Sequence, residues 1–234
     1  MSGFFALGAN EIEAVRLSLR VAFWAMLASL PFGIAAAFLL ARGRFWGKGL
    51  VDGLIHLPLV MPPVVVGYLL LLLFGRNGPL GRLLADCCGV VFAFRWTGAA
   101  LAAAVVGFPL MVRAIRLSLD AVDRRLEEAA ATLGAGRFFV FVLVTLPLAA
   151  PGIIAGMVLS FARSLGEFGA TITFVSNIPG ETRTLPLEIY TLTQTPGGDP
   201  AALRLTAIAV VLSLVALIAS EILARRVGRR LVGE

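Results

Sequence analysis

Long apolar segments separated by short polar stretches dominate the hydropathy pattern of this chain. Five of these segments are long enough to cross a bilayer core, which takes about 20 apolar residues in a helix. A soluble domain of this size would have shorter apolar runs and helices with one polar face. The pattern therefore predicts an all-α polytopic membrane protein with a single transmembrane domain over residues 1–234. The predicted spans are residues 17–40, 50–74, 91–112, 138–162 and 205–223.

Prolines and glycines interrupt several of these segments. Pro58, Pro62 and Pro63 lie within the second segment, which we expect to be broken there. Such breaks are tolerated in membranes when neighbouring helices satisfy the freed backbone groups. A further short apolar piece, Gly169 to Val175, is a candidate for a sixth membrane-entering segment.

The basic residues lie at the ends of the apolar segments rather than on one face. The net charge of +6 therefore indicates membrane orientation, and nucleic-acid binding is not expected. Three clusters hold twelve of the 20 lysines and arginines, and they fall on one side if five segments span. The positive-inside bias makes that side cytoplasmic, with the amino terminus outside and the carboxyl terminus inside. The clusters are Arg42, Arg44 and Lys48; Arg113, Arg116, Arg124, Arg125 and Arg137; and Arg225, Arg226, Arg229 and Arg230.

The longest charged stretch, residues 113–137, is predicted to be a cytoplasmic loop that contains a helix. Asp123 to Leu133 has acidic residues early, which suits the amino-terminal end of a helix dipole, followed by alanines with high helix propensity. Gly134 fits the position just past a helix end, where a positive φ is required. Without further information, this is a solvated helix between two spans.

The spacing of residues in and after this helix is more informative. It reads Glu128, Ala129, Ala130, three residues, Gly134, nine residues, Val144, one residue, Leu146 and Pro147. This spacing resembles the cytoplasmic signature of the membrane subunits of ATP-binding-cassette (ABC) importers, in which isoleucine usually stands where this chain has Val144. The resemblance implies a type I importer permease fold in which the loop docks as a coupling helix on a separate ATPase subunit. Glu128 would then interact with a cleft of that subunit, and Gly134 would allow the turn into the next span.

The same resemblance implies the partners. The permease would work as a homodimer in the bacterial inner membrane, above two copies of the ATPase subunit and below an extracytoplasmic binding protein. ATP and magnesium would be bound by the partner ATPase, and no cofactor, metal or catalytic site is expected on this chain. A phosphate-binding loop needs G-x-x-x-x-G-K followed by Ser or Thr. The segment from Gly43 to Gly49 has one residue too few between its glycines and lacks the hydroxyl residue.

Residues 163–204 narrow the expected cargo. G-E-F-G-A-T followed by N-I-P-G-x-T-x-T-L-P-x-x-I-Y resembles permeases for tetrahedral oxyanions. With T-P-G-G-D and the compact length, the chain is most similar to the molybdate branch of that group. Sulfate, thiosulfate and tungstate remain alternative cargoes of the same machine.

Six residues of this region are candidates for the pathway or its gate: Arg163, Gly166, Glu167, Gly169, Thr171 and Thr173. A membrane acid is a functional candidate by default, but it repels a dianion in a low dielectric. A structural pairing of Glu167 with Arg163, four residues earlier, is therefore favoured. The glycines would permit close helix contact or a bend. The threonine hydroxyls could meet an oxyanion, although threonine in a membrane more often bonds its own helix backbone.

Two other classes of protein fit less well. An ion-gradient-driven secondary transporter would need paired ionisable groups in mid-span and usually repeated halves, and the sequence has neither. A membrane hydrolase would have to use His56, the only histidine, and no motif supplies a serine or metal partner for it. We interpret His56 as a hydrogen-bonded packing residue.

Overall fold

The computed structural model describes the backbone of residues 7–232 and the side chains of residues 7–219 and of Ile222. Every regular element in this range is helical, which confirms the predicted fold class. The helices are α1 Ala9–Arg42, α2 Lys48–Val60, α3 Pro63–Phe74, α4 Pro79–Cys88, α5 Trp96–Ala121, α6 Arg124–Thr132, α7 Arg137–Val140, α8 Leu146–Leu148, α9 Ala150–Leu165, α10 Gly169–Val175, α11 Leu185–Thr193 and α12 Asp199–Val232. A π-helical turn, Phe141–Thr145, joins α7 to α8.

Within the described residues, three helices are long and apolar enough to cross a membrane alone: α1, α5 and the Asp199–Ala219 part of α12. Two further candidates are bent pairs. Helices α2 and α3 meet at 113°, and the segment Arg137–Leu148 meets α9 at 67°. Five spans result if each bent pair crosses as one span, and the break in the second segment lies at its prolines, as predicted.

Some element bounds differ from the sequence prediction. Helix α1 begins at Ala9 rather than Leu17, and α5 runs on to Ala121, so the first nine residues of the predicted loop 113–137 are helical. In these last turns of α5, Arg116 pairs with Asp52 of α2 at 3.0 Å and with Asp120 of α5 at 3.7 Å. Helix α10 has seven residues, about 10 Å, which is too short to cross. The predicted carboxyl-terminal arginine cluster lies outside the described side chains.

Small residues bring α9 against the central helix α5. Gly152, Gly156, Ser160 and Ser164 recur at every fourth position and so form one face of α9. A Cβ at Gly152 would overlap the Cβ of Ser118, and one at Gly156 would lie 2.9 Å from the carbonyl oxygen of Met111. In membranes, such small-residue faces let two helix backbones approach closely and gain packing energy.

Candidate functional site

Helix α6 has the start that the sequence predicts. Asp123 is its N-cap, and the Asp123 Oδ1 atom accepts a hydrogen bond from the backbone N–H of Arg125 at 2.9 Å. Glu127 lies in the first turn, where a negative charge complements the helix dipole. The helix covers Arg124–Thr132, and Leu133 is its C-cap.

The end of α6 is a Schellman motif built on glycine. Gly134 has φ +88°, a conformation that costs other residues roughly 1–2 kcal/mol. Its N–H donates to the carbonyl of Ala131 at 3.0 Å, and the Ala135 N–H donates to the carbonyl of Ala130 at 3.2 Å. These two bonds satisfy carbonyls that the helix leaves free. The positive φ predicted for Gly134 is confirmed.

Replacing Gly134 with alanine should loosen the end of α6 without any steric clash. A Cβ at Gly134 meets no atom within 4 Å, so the cost is the positive φ alone, about 1 kcal/mol. Amide hydrogen exchange in α6 should therefore be about fivefold faster in G134A than in the wild type. G136A is the matched control, because Gly136 also faces open space but has φ −64°. Equal exchange in the two variants would contradict this account of the turn.

The two adjacent acids of α6 have different surroundings. Glu127 points toward the body of the protein, where its Oε1 atom lies 2.9 Å from Arg42 Nη2 and accepts a 2.8 Å bond from Thr145 Oγ1. Arg42 also donates to the carbonyl of Val122 at 3.3 Å. Glu128 is exposed and forms no ion pair or hydrogen bond within the described part of the chain. Glu127 therefore attaches α6 to α1 and to the π turn, and Glu128 remains available for a partner.

Leu146 and Pro147 shape this site through the π turn that precedes them. Pro147 has no N–H to donate, and its ring would clash with a carbonyl four residues back in a regular helix. The Leu146 N–H donates instead to the carbonyl of Phe141, five residues back. Such π turns often occur at functional positions. Here the turn contains Thr145, which is buried and bonded to Glu127.

The outer surface of this region combines charge with exposed apolar side chains. Glu128 and Ala129 are exposed and Ala130 is half-buried. Leu126, Leu133, Phe138 and Phe139 are also exposed, Leu133 by 89%. A cavity of about 340 Å³ lies between α6 and the body of the protein, with Arg42, Glu127 and Glu128 among its lining residues. Leu126 of α6 and its C-cap residue Leu133 lie on the same helix as Glu128 and suit a protein docking surface. Phe138 and Phe139, in contrast, lie at the start of the predicted span 138–162.

The predicted Arg163–Glu167 pair is present. Arg163 Nη1 lies 2.8 Å from Glu167 Oε2, and the other carboxylate oxygen accepts a 2.8 Å bond from the Ala170 N–H at the start of α10. The Glu167 side chain is 2% exposed and that of Arg163 is 30% exposed. Glu167 therefore fixes the junction between α9 and α10, as the favoured structural interpretation requires.

The other pathway candidates have distinct surroundings. Gly169 touches α3, because a Cβ there would lie 2.9 Å from the Pro63 Cβ atom, whereas Gly166 faces open space. Thr173 Oγ1 donates to the carbonyl of Gly169 at 2.9 Å, and Thr171 is buried with 1% exposure. The structure therefore brings Arg163, Glu167 and Gly169 together and leaves both threonine hydroxyls poorly placed to meet a solute.

The residues that sequence reasoning missed are Arg42 and Thr145, together with the inward role of Glu127. Arg42 is 85 positions from its partner, so no local pattern reveals the pair. His56 was expected to be hydrogen-bonded, and its Nδ1 atom lies 2.9 Å from the carbonyl of Asp52. Among the described residues no group of three or more His, Cys, Asp or Glu side chains could hold a metal ion.

Comparison with known proteins relates this chain to membrane components of transport systems. Residues 29–229 match the family described as "Binding-protein-dependent transport system inner membrane component". The chain is 63% identical over 223 residues to the molybdenum transport system permease protein ModB of Escherichia coli (strain K12), which covers 94% of this chain and 97% of that protein. It is 41% identical over 235 residues to the sulfate transport system permease protein CysW of Synechococcus elongatus, which covers 98% of this chain and 80% of that protein.

The fold is similar to a solved structure as well. The crystal structure of a bacterial ABC transporter involved in the import of the acidic polysaccharide alginate matches with a TM-score of 0.73. The match covers 94% of this chain and 80% of that chain at 20% sequence identity. At this identity the likeness concerns the fold alone.

Proposed function

This chain belongs to the family of binding-protein-dependent transport system inner membrane components, and from that premise we propose that it is the membrane subunit of an ABC importer for molybdate. The assignment of molybdate as the cargo rests on the 63% identity, over 94% of the chain, to a molybdenum permease. Identity to the sulfate permease CysW is lower, 41%. Molybdate and sulfate are both tetrahedral dianions, so one architecture suits either, and relatedness favours molybdate.

ATP hydrolysis by a separate subunit drives this transport, and α6 couples the two proteins. The proposal rests on the exposed outer face of α6, where Glu128 has no partner within the described residues. Glu128, Ala129 and Ala130 enter a cleft of the ATPase, which binds ATP and magnesium. Gly134 ends the helix, and Leu146 and Pro147 form the turn behind it. A movement of the ATPase is then transmitted through Glu127 to Arg42 and Thr145, and so to α1 and α9.

The assembly contains two copies of this permease, two ATPase subunits and an extracytoplasmic molybdate-binding protein, in the bacterial inner membrane. The amino terminus lies outside and the carboxyl terminus inside. This orientation rests on the positive-inside bias, and two contacts agree with the pairing of helix ends that it assumes. Arg42 at the end of α1 meets Glu127 in the basic loop, which joins two of the predicted cytoplasmic clusters. At the opposite end, Glu11 of α1 pairs with Arg204 at the start of α12 at 2.8 Å.

Cellular molybdenum at trace external molybdate tests the cargo, with the gene deleted and then restored, and with and without excess sulfate. Uptake that requires the gene and persists in excess sulfate is the expected result. Uptake that sulfate abolishes would assign the chain to sulfate transport instead. Molybdenum levels that do not change on deletion would refute the molybdate assignment.

A further inference from the structure

Two breaks in membrane helices lie side by side in this fold. The first separates α2 from α3 at residues 61–62, and the second separates α9 from α10 at residues 166–168. They touch at Gly169, where a Cβ would lie 2.9 Å from the Pro63 Cβ atom and 3.3 Å from the Val64 nitrogen. A Cβ at Gly67 of α3 would likewise lie 2.5 Å from the carbonyl oxygen of Ala170. We call this contact of the two breaks the broken-helix junction.

Because α5 is long and apolar enough to cross the membrane, its register places the junction at membrane depth. Ser164 Oγ, just before the second break, donates to the carbonyl of Ala103 at 3.4 Å. Ala103 is seven residues into α5, about 10 Å from the outer end of a helix that is about 39 Å long. Non-helical backbone at such depth is tolerated only where it is buried in protein or lines a water-filled cavity.

Arg163 is the basic group at this junction. Both oxygens of its partner Glu167 are engaged, one by Arg163 and one by the Ala170 N–H. A guanidinium has five N–H donors, and Arg163 makes no other ion pair or hydrogen bond within the described residues. Its side chain is 30% exposed, and a Cβ at neighbouring Gly166 would meet nothing within 4 Å. Free donors therefore point to open space beside the break.

The exposed part of the Arg163 guanidinium cannot face lipid. Charged side chains within membrane segments face the protein interior or a water-filled cavity, because exposure to hydrocarbon is costly. An arginine fork matches the geometry of an oxyanion and donates paired hydrogen bonds to it. The Glu167 carboxylate is covered, so the surface presented to a passing solute is the guanidinium alone.

We propose that Arg163 is the contact for a tetrahedral oxyanion dianion inside the membrane, at the broken-helix junction, and that Glu167 is its positioning residue. The proposal rests on the transport function inferred above and names the group that meets the cargo. The negative charge of Glu167 partly offsets the positive charge of Arg163, so the site binds the anion weakly and releases it toward the cytoplasm. Thr171 and Thr173 are structural, since one is buried and the other bonds its own helix.

The test uses the complete importer in proteoliposomes, with ATPase and loaded binding protein. R163Q should lower the initial rate of molybdate uptake at least tenfold while ATP hydrolysis stays within twofold of the wild type. R163K keeps the charge and loses the fork, so a smaller loss is expected. The exchanged pair R163E with E167R should not restore uptake, because the cation would then sit at the covered position. R183Q is the control for a structural loss. Arg183, like Arg163, pairs with a buried acid, in this case Glu188 of α11.

Each alternative outcome overturns the proposal. Normal uptake in R163Q means that the anion does not need Arg163. Restoration by the exchanged pair, or loss of the assembled complex in R163Q, means that the pair is only structural. Wild-type vesicles distinguish these failures from a failure of the proposed function. If they carry sulfate and not molybdate, the cargo is wrong, and the Arg163 variants are measured with sulfate.

Discussion

Replacing Glu127 with alanine is expected to lower ATP-driven molybdate uptake at least tenfold. The change leaves the guanidinium of Arg42 without its carboxylate and removes the acceptor of the Thr145 hydroxyl. Breaking a fully buried pair costs about 3–5 kcal/mol. Since the Glu127 side chain is 20% exposed, we expect roughly 2 kcal/mol here, discounted for solvent screening. Helix α6 would then dock on the ATPase without moving α1 and the π turn.

Two matched variants separate the inner and outer contacts of α6. E127Q keeps an acceptor for Thr145 and loses only the charge, so an intermediate uptake is expected. E128A should also reduce uptake, but through the partner, because Glu128 forms no ion pair or hydrogen bond with its own chain among the described residues. Amide hydrogen exchange in the isolated permease distinguishes the two variants. Exchange of the α6 amides should be faster than in the wild type in E127A and equal to the wild type in E128A. If E127A exchanged its α6 amides and took up molybdate at wild-type rates, the attachment of α6 through Glu127 would be refuted.

A valine at Gly152 should strongly destabilise the folded permease. A Cβ at this position would overlap the Cβ of Ser118, and the carbonyl of Ala114 lies 2.9 Å away, so the two backbones must separate. Overpacking a tight core typically costs 1–3 kcal/mol and occasionally more. Here the larger value is expected, because the four-residue face of α9 loses its contact with α5 along with the glycine.

The amount of protein in membranes and its apparent melting temperature in detergent measure this effect. G53V is the matched control, because Gly53 also lies inside a helix but a Cβ there meets no atom within 4 Å. We expect G53V to accumulate as the wild type does and G152V to be lost or to melt several degrees lower. Equal accumulation and melting of the two variants would show that the α5–α9 contact is less tight than described.

The start and end of α6 could be predicted from the sequence because both depend on local chemistry. Asp123 caps the helix and Gly134 closes it, as residue types at those positions require. The separate roles of Glu127 and Glu128 could not be predicted. Adjacent residues on a helix point about 100° apart, and only the position of Arg42 across the fold decides which acid faces inward.

Other features were present in the sequence but needed the fold to be interpreted. Pro62 and Pro63 mark a break, yet the 113° angle depends on how α3 packs against α10. The small residues Gly152, Gly156, Ser160 and Ser164 recur every fourth position and could have indicated a close helix contact. That their partner is α5, and that Arg163 follows on the same helix beside a second break, is a property of the tertiary structure.

Reconstituted transport tests the central claim most directly. The permease is placed in liposomes with its ATPase and the loaded molybdate-binding protein, and molybdate uptake is measured with ATP, without ATP and without the ATPase subunit. The account predicts uptake only when ATP, ATPase and binding protein are all present. Uptake that continues without the ATPase would contradict it and identify the chain as a transporter driven by another energy source.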